Sequence, residues 1–476
     1  MYGYIDVVEK NGKFLYVFED GGLTAYKSDA LPIDKKRPLF ENEIKADHPF
    51  VIGSNITTKN NLKNNIIFFI DKIPFSGEYG EILSYTNLKV YYYIVLNSNT
   101  ESFQIEKLMF EFPELDYFFN LGDGYEAAHG DEAYSIKTVP WEKTQQKFNF
   151  SIEGENVAGN ITVSQTLKIK RSNTPLLLQS HLSCEFKPTT DMRFIIEVYT
   201  VIKNLFGFIC HRHSVNINTI GLYGKNKDGK RMKIGDLHVL FGPVKSNETD
   251  KVIQKTIELR HVQRQFSQLA QLIADNEVYL ENIPHTNADS HRVDAARVIL
   301  NMAAFEWAFK QHYGSLSTEN ENQVRDDILK SIFELPEKNN YNSEKRSEFK
   351  KYEKVILNVD SSLSKKIRHA LKDCDPILSD FIELVRKLND IENDSYPEMA
   401  DRLQEQRNNF VHGNIGEKID DRLVLDIVIL EWLNYCMVLK SAGYRENEIF
   451  NIINRIFERN ASDKAIEYPP EITAEK

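Results

Sequence analysis

The chain has 476 residues, with 59 basic and 70 acidic side chains and a formal net charge of -11. Hydrophobic residues make up 41% and charged residues 27%, ordinary globular usage that excludes wholesale disorder and low-complexity fibre. A chain this acidic does not coat nucleic acid by bulk charge, so any RNA or DNA contact has to come from local basic patches. Four cysteines are too few for a disulfide-built scaffold. At ~150 residues per domain the length suggests two or three domains. The N-terminal Met1-Tyr2-Gly3-Tyr4-Ile5-Asp6 lacks the basic-then-apolar layout of a signal peptide. The most apolar run, Leu423 to Leu439, carries Asp426 and Glu431 and reads as a buried bundle helix, not a membrane span. The expectation is a soluble cytoplasmic protein with no membrane contact.

In chain order, the first half alternates short aromatic and β-branched runs with turn residues. Lys13 to Phe18 ends at Asp20-Gly21-Gly22, Leu88 to Leu96 ends at Asn97-Ser98-Asn99, Phe148 to Ile152 breaks at Gly154, and Asn160 to Ser164 follows Gly159. These are strand and hairpin signals. Val215 to Tyr223 and Arg231 to Phe241 flank the loop Gly224 to Gly229, a further predicted hairpin. One helix interrupts them. Thr189 or Thr190 can cap it, Phe194, Ile195, Val198, Val201, Ile202 and Leu205 recur at helical spacing, and Gly207 is placed to end it.

The texture changes after Gly242-Pro243. Residues 245–250 read as a linker, and helical periodicity then dominates, near 251–280, 289–312, 320–335, 344–358, 363–372, 376–391, 396–412, 420–441 and 445–459. Ser290 or Asp289 can cap the second of these, Ser395 with Pro397 can start the seventh, and Asp420 can cap the eighth. Pro469-Pro470 reads as a frayed tail. The expected fold class is α+β: a β-rich domain over 1–245 followed by an all-α bundle over 251–465.

One constellation carries chemistry. Arg407-Asn408-Asn409-Phe410-Val411-His412-Gly413 closes the predicted helix that starts after Ser395, and Gly413 can terminate it in a left-handed conformation. Asn408 and His412 are four apart and share a face, while Arg407 lies roughly 140° from His412 in an ideal helix and reaches the same site only through its long side chain or a distorted last turn. A guanidinium offers a fork of donors to a phosphate. An imidazole titrating near ~6.5 can give or take a proton at cellular pH. The bland reading is a surface arginine and a histidine favoured by the helix dipole. Arg231 and His238, with six intervening residues, repeat the broad pattern on a predicted strand, so context carries the weight. An Asn follows Arg407, a Gly follows His412, an amphipathic helix precedes and a strongly apolar one follows.

Arg407-Asn408-x-x-x-His412 resembles the R-N-x-x-x-H signature of HEPN domains, helical bundles of which many are metal-independent ribonucleases. The resemblance covers residues 250–460 or so. The plan of a β-rich region followed by a helical region with the motif near its end is similar to that of the ApeA-type HEPN proteins of bacterial anti-phage defence. The resemblance implies an endoribonuclease without metal or other cofactor, cutting single-stranded RNA or a tRNA loop such as the anticodon loop in abortive infection. The ribose 2′-hydroxyl attacks the adjacent phosphate and leaves a 2′,3′-cyclic phosphate and a 5′-hydroxyl. That reaction needs a base, an acid and a cation, and one motif holds one imidazole, so a homodimer with a composite site is expected. Arg407 then binds and polarises phosphate, His412 does acid–base work and Asn408 orients one of them or the RNA. Glu306, within the apolar stretch Met302-Ala303-Ala304-Phe305-Glu306-Trp307, wants a partner, and Arg407 is the attractive choice. Its bland reading is an exposed position between buried Phe305 and Trp307. The β-rich domain is expected to sense or regulate, with a phage-derived trigger protein as one candidate partner. The competing reading is a non-catalytic HEPN dimerisation module whose first domain recognises a protein or ligand.

Three further patterns are weaker. His181-x-x-Cys184 with Cys210-His211-x-His213 could supply zinc ligands, against the bland reading of buried thiols and strand-end histidines. Asp34 with Glu43-Ile44-Lys45 faintly matches a metal-nuclease pattern without its strand–helix context. Basic clusters at Lys35-Lys36-Arg37, Lys225 to Lys233, Lys345 to Lys351 and Lys365-Lys366-x-Arg368-His369 read first as solvated faces, with those in the helical half the better RNA contacts. The tyrosines and phenylalanines of the first half read as core and not as base-stacking platforms.

Overall fold

The computed structural model describes residues 1–7, 12–27, 43–56, 63–71, 85–97, 100, 102–129, 134–139, 145–167, 176–226, 228–240, 249–314, 327, 330–331, 345, 347–348, 351, 362–391, 394–413 and 419–459. Asp34, Lys35-Lys36-Arg37, Pro469-Pro470 and nearly all of the predicted helices 320–335 and 344–358 lie outside the described residues. The fold class is α+β, an antiparallel β region followed by an all-helical one. Two compact units form. One comprises Met1–Asp275 with His285–Asn287, the other Asn276–Pro284 with Ala288–Lys476.

The first unit opens with β1 (Tyr2–Val7), β2 (Gly12–Glu19), β3 (Gly22–Lys27), β4 (Phe50–Ile56), β5 (Lys63–Ile70) and β6 (Tyr85–Leu96). Their antiparallel order is β6-β3-β2-β1-β4-β5, and β5 pairs back onto β6, so the strands close into a ring without a free edge. Alternation puts Tyr16, Phe18, Leu23, Ala25, Val51, Ile66, Phe68, Leu88 and Val90 into one buried cluster. Tyr16, Phe18 and Phe68 are therefore core, as their alternation predicts, whereas Tyr2 is exposed. The register of β5 on β6 shifts between Phe69 and Ile70. Beyond that point β6 also pairs with a later strand and hands the sheet on.

The rest of the unit comprises β7 (Ile105–Phe110), α1 (Pro113–Phe119), the hairpin β8 (Tyr125–His129) and β9 (Tyr134–Thr138), β10 (Gln145–Ile152), β11 (Glu155–Leu167), β12 (Leu176–Thr189), α2 (Met192–Cys210), β13 (Thr219–Lys225) and β14 (Arg231–Val239). From β6 the sheet runs β14-β13-β7-β12-β11-β10. The β10–β11 turn has Glu153 at φ 48 and Gly154 at φ 86, both left-handed as a two-residue hairpin requires. Three short helices follow: α3 (Asp250–Ile253), α4 (Leu259–Val262) and α5 (Phe266–Ala274). They replace the single helix predicted over 251–280. The Ile257 N–H donates to Ile209 O at 3.4 Å, turning the backbone toward the end of α2. The strand-to-helix change therefore falls between β14 and α3, whereas the compact units divide past Asp275.

Helix α2 is capped by the Asp191 side chain, not by Thr189 or Thr190, and it runs through Gly207 to Cys210, where His211 at φ 49 ends it. Its apolar face meets α5 and the sheet around Phe206, Phe118, Phe266 and Phe148, with ring centroids 4.9–5.4 Å apart. The outer strand β10 does not present a bare edge. The Asn149 N–H donates to Ser267 Oγ at 3.1 Å and the Ser151 N–H to Gln271 Oε1 at 2.8 Å, so α5 covers it.

The second unit contains α6 (Ala295–Tyr313), α7 (Leu363–Leu388), α8 (Tyr396–Val411), α9 (Asp421–Ser441) and α10 (Glu446–Ile456). Helix α9 is buried nearly all round and packs against the other four, the position a helix with apolar residues on every side must take. Asp420 caps it as predicted. Asp294, not Asp289 or Ser290, caps α6. The two helices predicted at 363–372 and 376–391 are one, with Pro376 inside. An interior proline costs about 3 kcal/mol. Leu371, Ile377, Leu378 and Phe381 around it are 0–1% exposed, and at ~1.5–3 kcal/mol each their burial outweighs it.

The buried carboxylates of α9 are paired by cations from its neighbours. Glu431 is 2% exposed and accepts from Arg297 of α6 at 2.7 and 2.9 Å on Oε1 and 3.1 Å on Oε2. Asn301 also donates to Glu431 at 3.0 Å, and Asn434 donates to the Asn301 carbonyl at 3.2 Å. Removing one partner of a buried ion pair strands the other. Glu431→Ala is therefore expected to lower unfolding free energy by about 3–5 kcal/mol, and the double variant Arg297→Met/Glu431→Leu to recover most of it. Urea denaturation of the full chain measures both.

Candidate active site

The motif helix α8 is specified locally. Ser395 and Glu398 form a reciprocal capping box, and Pro397 lies in the first turn. Met399, Ala400, Leu403 and Phe410 bury one stripe. Arg402 clamps the helix to α9, with its Nε 2.9 Å from Asp426 Oδ2 and its Nη1 2.7 Å from Asp394 Oδ1. The start of α7 is laced to the same helix. Ser364 Oγ donates to Asp401 Oδ1 at 2.6 Å and the Ser364 N–H to Gln404 Oε1 at 2.9 Å.

The clamp has two electrostatic halves. Burial pushes Asp426 up to about 6 against the pull of Arg402. At Asp394 the hydrogen bonds from Arg402 win, and its carboxyl is held below the usual range.

These contacts present the motif at the end of α8. Gly413 has φ 84 and ends the helix in the left-handed region, as predicted. The His412 N–H donates to Asn408 O at 3.0 Å, and His412 and Asn408 are both exposed. Arg407 comes within 3.7 Å of Glu306 on α6, one of the two readings the sequence left open for that carboxylate. Lys366 on α7 approaches the other Glu306 oxygen at 4.0 Å. Arg407 Nη1 also donates to Asn408 Oδ1 at 3.4 Å. Arg407 and Glu306 side chains are 40% and 38% exposed, and exposed pairs of this kind contribute ~0.2–1 kcal/mol. The arrangement is thus too weak to be a stability device. It leaves a half-open guanidinium and an ammonium on either side of one carboxylate, with the exposed His412 five residues along the chain from Arg407. Trp307 is 41% exposed, not buried as the sequence suggested, and its Nε1–H donates to Glu277 O at 2.9 Å.

The other patterns do not converge. Among the described residues no group of three or more His, Cys, Asp or Glu could hold a metal ion. Cys184 is buried in β12, Cys210 Sγ lies 3.5 Å from Thr256 Oγ1, and His181 bonds to Ser164 and Glu111. Arg231 pairs with Glu106 and Glu185 while His238 stacks on Tyr93, so that second Arg/His pair forms no site. Within the α7 basic cluster, Arg368 is bound by Asp401 and His369 packs on Tyr313. Lys366 was legible only as one member of that cluster. Its approach to Glu306 depends on how α6 and α7 pack, for which sequence spacing gives no signal.

Two outcomes follow. Glu306→Gln is expected to change unfolding free energy by less than about 1 kcal/mol, read by urea denaturation. Because the folded pKa of Asp426 lies above the ordinary carboxylate value, its contribution to stability is present in full below pH ~4 and is lost as pH rises through about 6. Asp394 works in the opposite sense, losing its contribution as pH falls below ~4. Carboxyl-carbon NMR should find the Asp426 midpoint near 6, and Asp426→Asn should flatten the stability profile across pH 4–6.

Compared with known proteins, the chain matches no family model, no curated protein and no solved structure.

Proposed function

We propose that the chain is a metal-independent endoribonuclease of the HEPN type, acting as a homodimer on single-stranded RNA or a tRNA loop in anti-phage defence. The observation that carries this reading is the end of α8. Arg407 and Asn408 are bonded to each other near the exposed helix terminus that His412 caps, Glu306 of α6 reaches Arg407, and Lys366 of α7 reaches the other oxygen of Glu306.

In this reading the RNA phosphate competes with Glu306 for Arg407. A guanidinium forks onto two phosphate oxygens with shorter, better aligned bonds than it makes to a carboxylate 3.7 Å away. The ribose 2′-oxygen attacks phosphorus, the 5′-oxygen leaves, and His412 moves a proton at one of these oxygens. The partner chain's motif supplies the second imidazole. Unpaired nucleotides reach the in-line geometry more easily than duplex ones. The net charge of -11 fits an enzyme that does not bind RNA indiscriminately. The β-rich unit serves as the sensor, and a phage-derived protein is a suitable trigger.

The test is cleavage of total tRNA by the full chain in EDTA, with phage lysate as trigger. His412→Ala is expected to lower the rate by about 10²–10⁴-fold while leaving dimer mass unchanged in analytical ultracentrifugation. Cleavage that His412→Ala leaves intact, or that EDTA abolishes, overturns the reading. A dimer that cuts no RNA under any trigger supports the non-catalytic module instead.

A further inference from the structure

The first unit holds a hydrogen-bonded chain of three side chains that the nuclease reading does not use. Ser164 lies on β11 and His181 on β12. The register sets Thr162 opposite His181 and Ser164 opposite Gln179, so Ser164 and His181 are diagonal neighbours on one face. Glu111 follows Phe110, the last residue of β7, which pairs with Leu182. Three adjacent strands thereby place a hydroxyl, an imidazole and a carboxylate in line. Ser164 Oγ is 2.6 Å from His181 Nε2, and His181 Nδ1 is 3.0 Å from Glu111 Oε1. Gln179 Nε2 donates to the other Glu111 oxygen at 3.3 Å and steadies the carboxylate.

The proton positions follow from chemistry. A carboxylate accepts, so in the neutral ring Nδ1 carries the hydrogen and the Nε2 lone pair faces the serine hydroxyl, whose other acceptor, the Gln179 carbonyl, is farther off at 3.3 Å. That is the polarity a serine nucleophile needs: base at 2.6 Å, and base held in one tautomer by an acid. The chain is also reachable, with side chains 19% exposed at His181 and 51% exposed at Glu111, and with Ser164 half-buried.

We infer that Ser164 is an acyl-accepting nucleophile, activated by His181 and oriented by Glu111, for small activated carboxylic esters. Ser164 Oγ bonds to the carbonyl carbon as its proton passes to His181 Nε2. The ester C–O bond breaks, and the imidazolium gives that proton to the departing oxygen or, where a phenolate leaves, releases it to water, so that the neutral imidazole is restored. Water activated by the same imidazole then hydrolyses the serine ester and restores the hydroxyl. The site lies in the first unit and does not rest on the nuclease reading.

The full chain is treated in parallel with p-nitrophenyl acetate and a fluorophosphonate probe, and adducts are mapped by peptide mass spectrometry. The expected result is modification of Ser164 in the wild type, absent in Ser164→Ala. His181→Ala should slow it by about 10²-fold or more, and Glu111→Gln, a substitution of nearly the same shape at a half-exposed position, should slow it less. Circular dichroism confirms that each variant is folded. No adduct at Ser164 with either reagent, or equal labelling in wild type and folded Glu111→Gln and His181→Ala, overturns the proposal.

Discussion

The helical unit is organised by two buried carboxylates on one helix. Asp426 and Glu431 sit on α9, in surroundings where an unpaired charge costs several kcal/mol. Each therefore requires a cation from a neighbour, and each neighbour is an element of the candidate site. Glu431 takes Arg297 from α6, the helix that also carries Glu306. Asp426 takes Arg402 from α8, the helix that ends in the motif. Apolar packing alone tolerates small sliding between helices. A forked guanidinium–carboxylate contact does not, because its bonds are directional. The two clamps thus fix how far along α9 each partner helix stands, and the meeting of Glu306 with Arg407 follows from that register.

The site itself is built in the opposite way. Where the clamps are enclosed and tight, Arg407, Glu306 and Lys366 are partly exposed and their contacts are long. Weak, screened contacts are easily exchanged for a ligand. A rigid scaffold under a loosely paired cationic rim is what recognition of a phosphate demands: the frame preserves positions, and the rim gives up its internal partner at small cost. The same division holds in the first unit. The inward face of its closed strand ring is buried, while the open sheet carries the partly exposed Ser164–His181–Glu111 chain.

Much of this was legible in the residues. Ser395, Pro397 and Glu398 announce the start of α8, Gly413 its end and Asp420 the next helix, because caps are local chemistry. Glu306 answers to both of its readings, a partly exposed position and a neighbour of Arg407, because the contact between them is long and open. What could not be read depends on contacts distant in the chain. Pro376 signals a break that burial overrides, and the 251–280 stretch has helical periodicity but is bent by its bonds to α2. His181 offered itself with Cys184 as a zinc pair. Strand alternation sends the two to opposite faces of β12 and leaves His181 facing β11. No spacing rule links Glu111, Ser164 and His181, because only the sheet order brings β7, β12 and β11 side by side.

In the proposed reaction the end of α8 directs a ribose hydroxyl onto its own phosphate. The most direct measurement takes an RNA that the full chain cuts at a defined linkage and replaces the single nucleotide 5′ of that linkage with its 2′-deoxy form. With in-line attack by the 2′-oxygen, cleavage at that linkage stops while neighbouring ribose linkages stay susceptible, and the unmodified RNA yields a 2′,3′-cyclic phosphate end. Continued cutting at the deoxy linkage would contradict the account, because water or another nucleophile would then be attacking phosphorus.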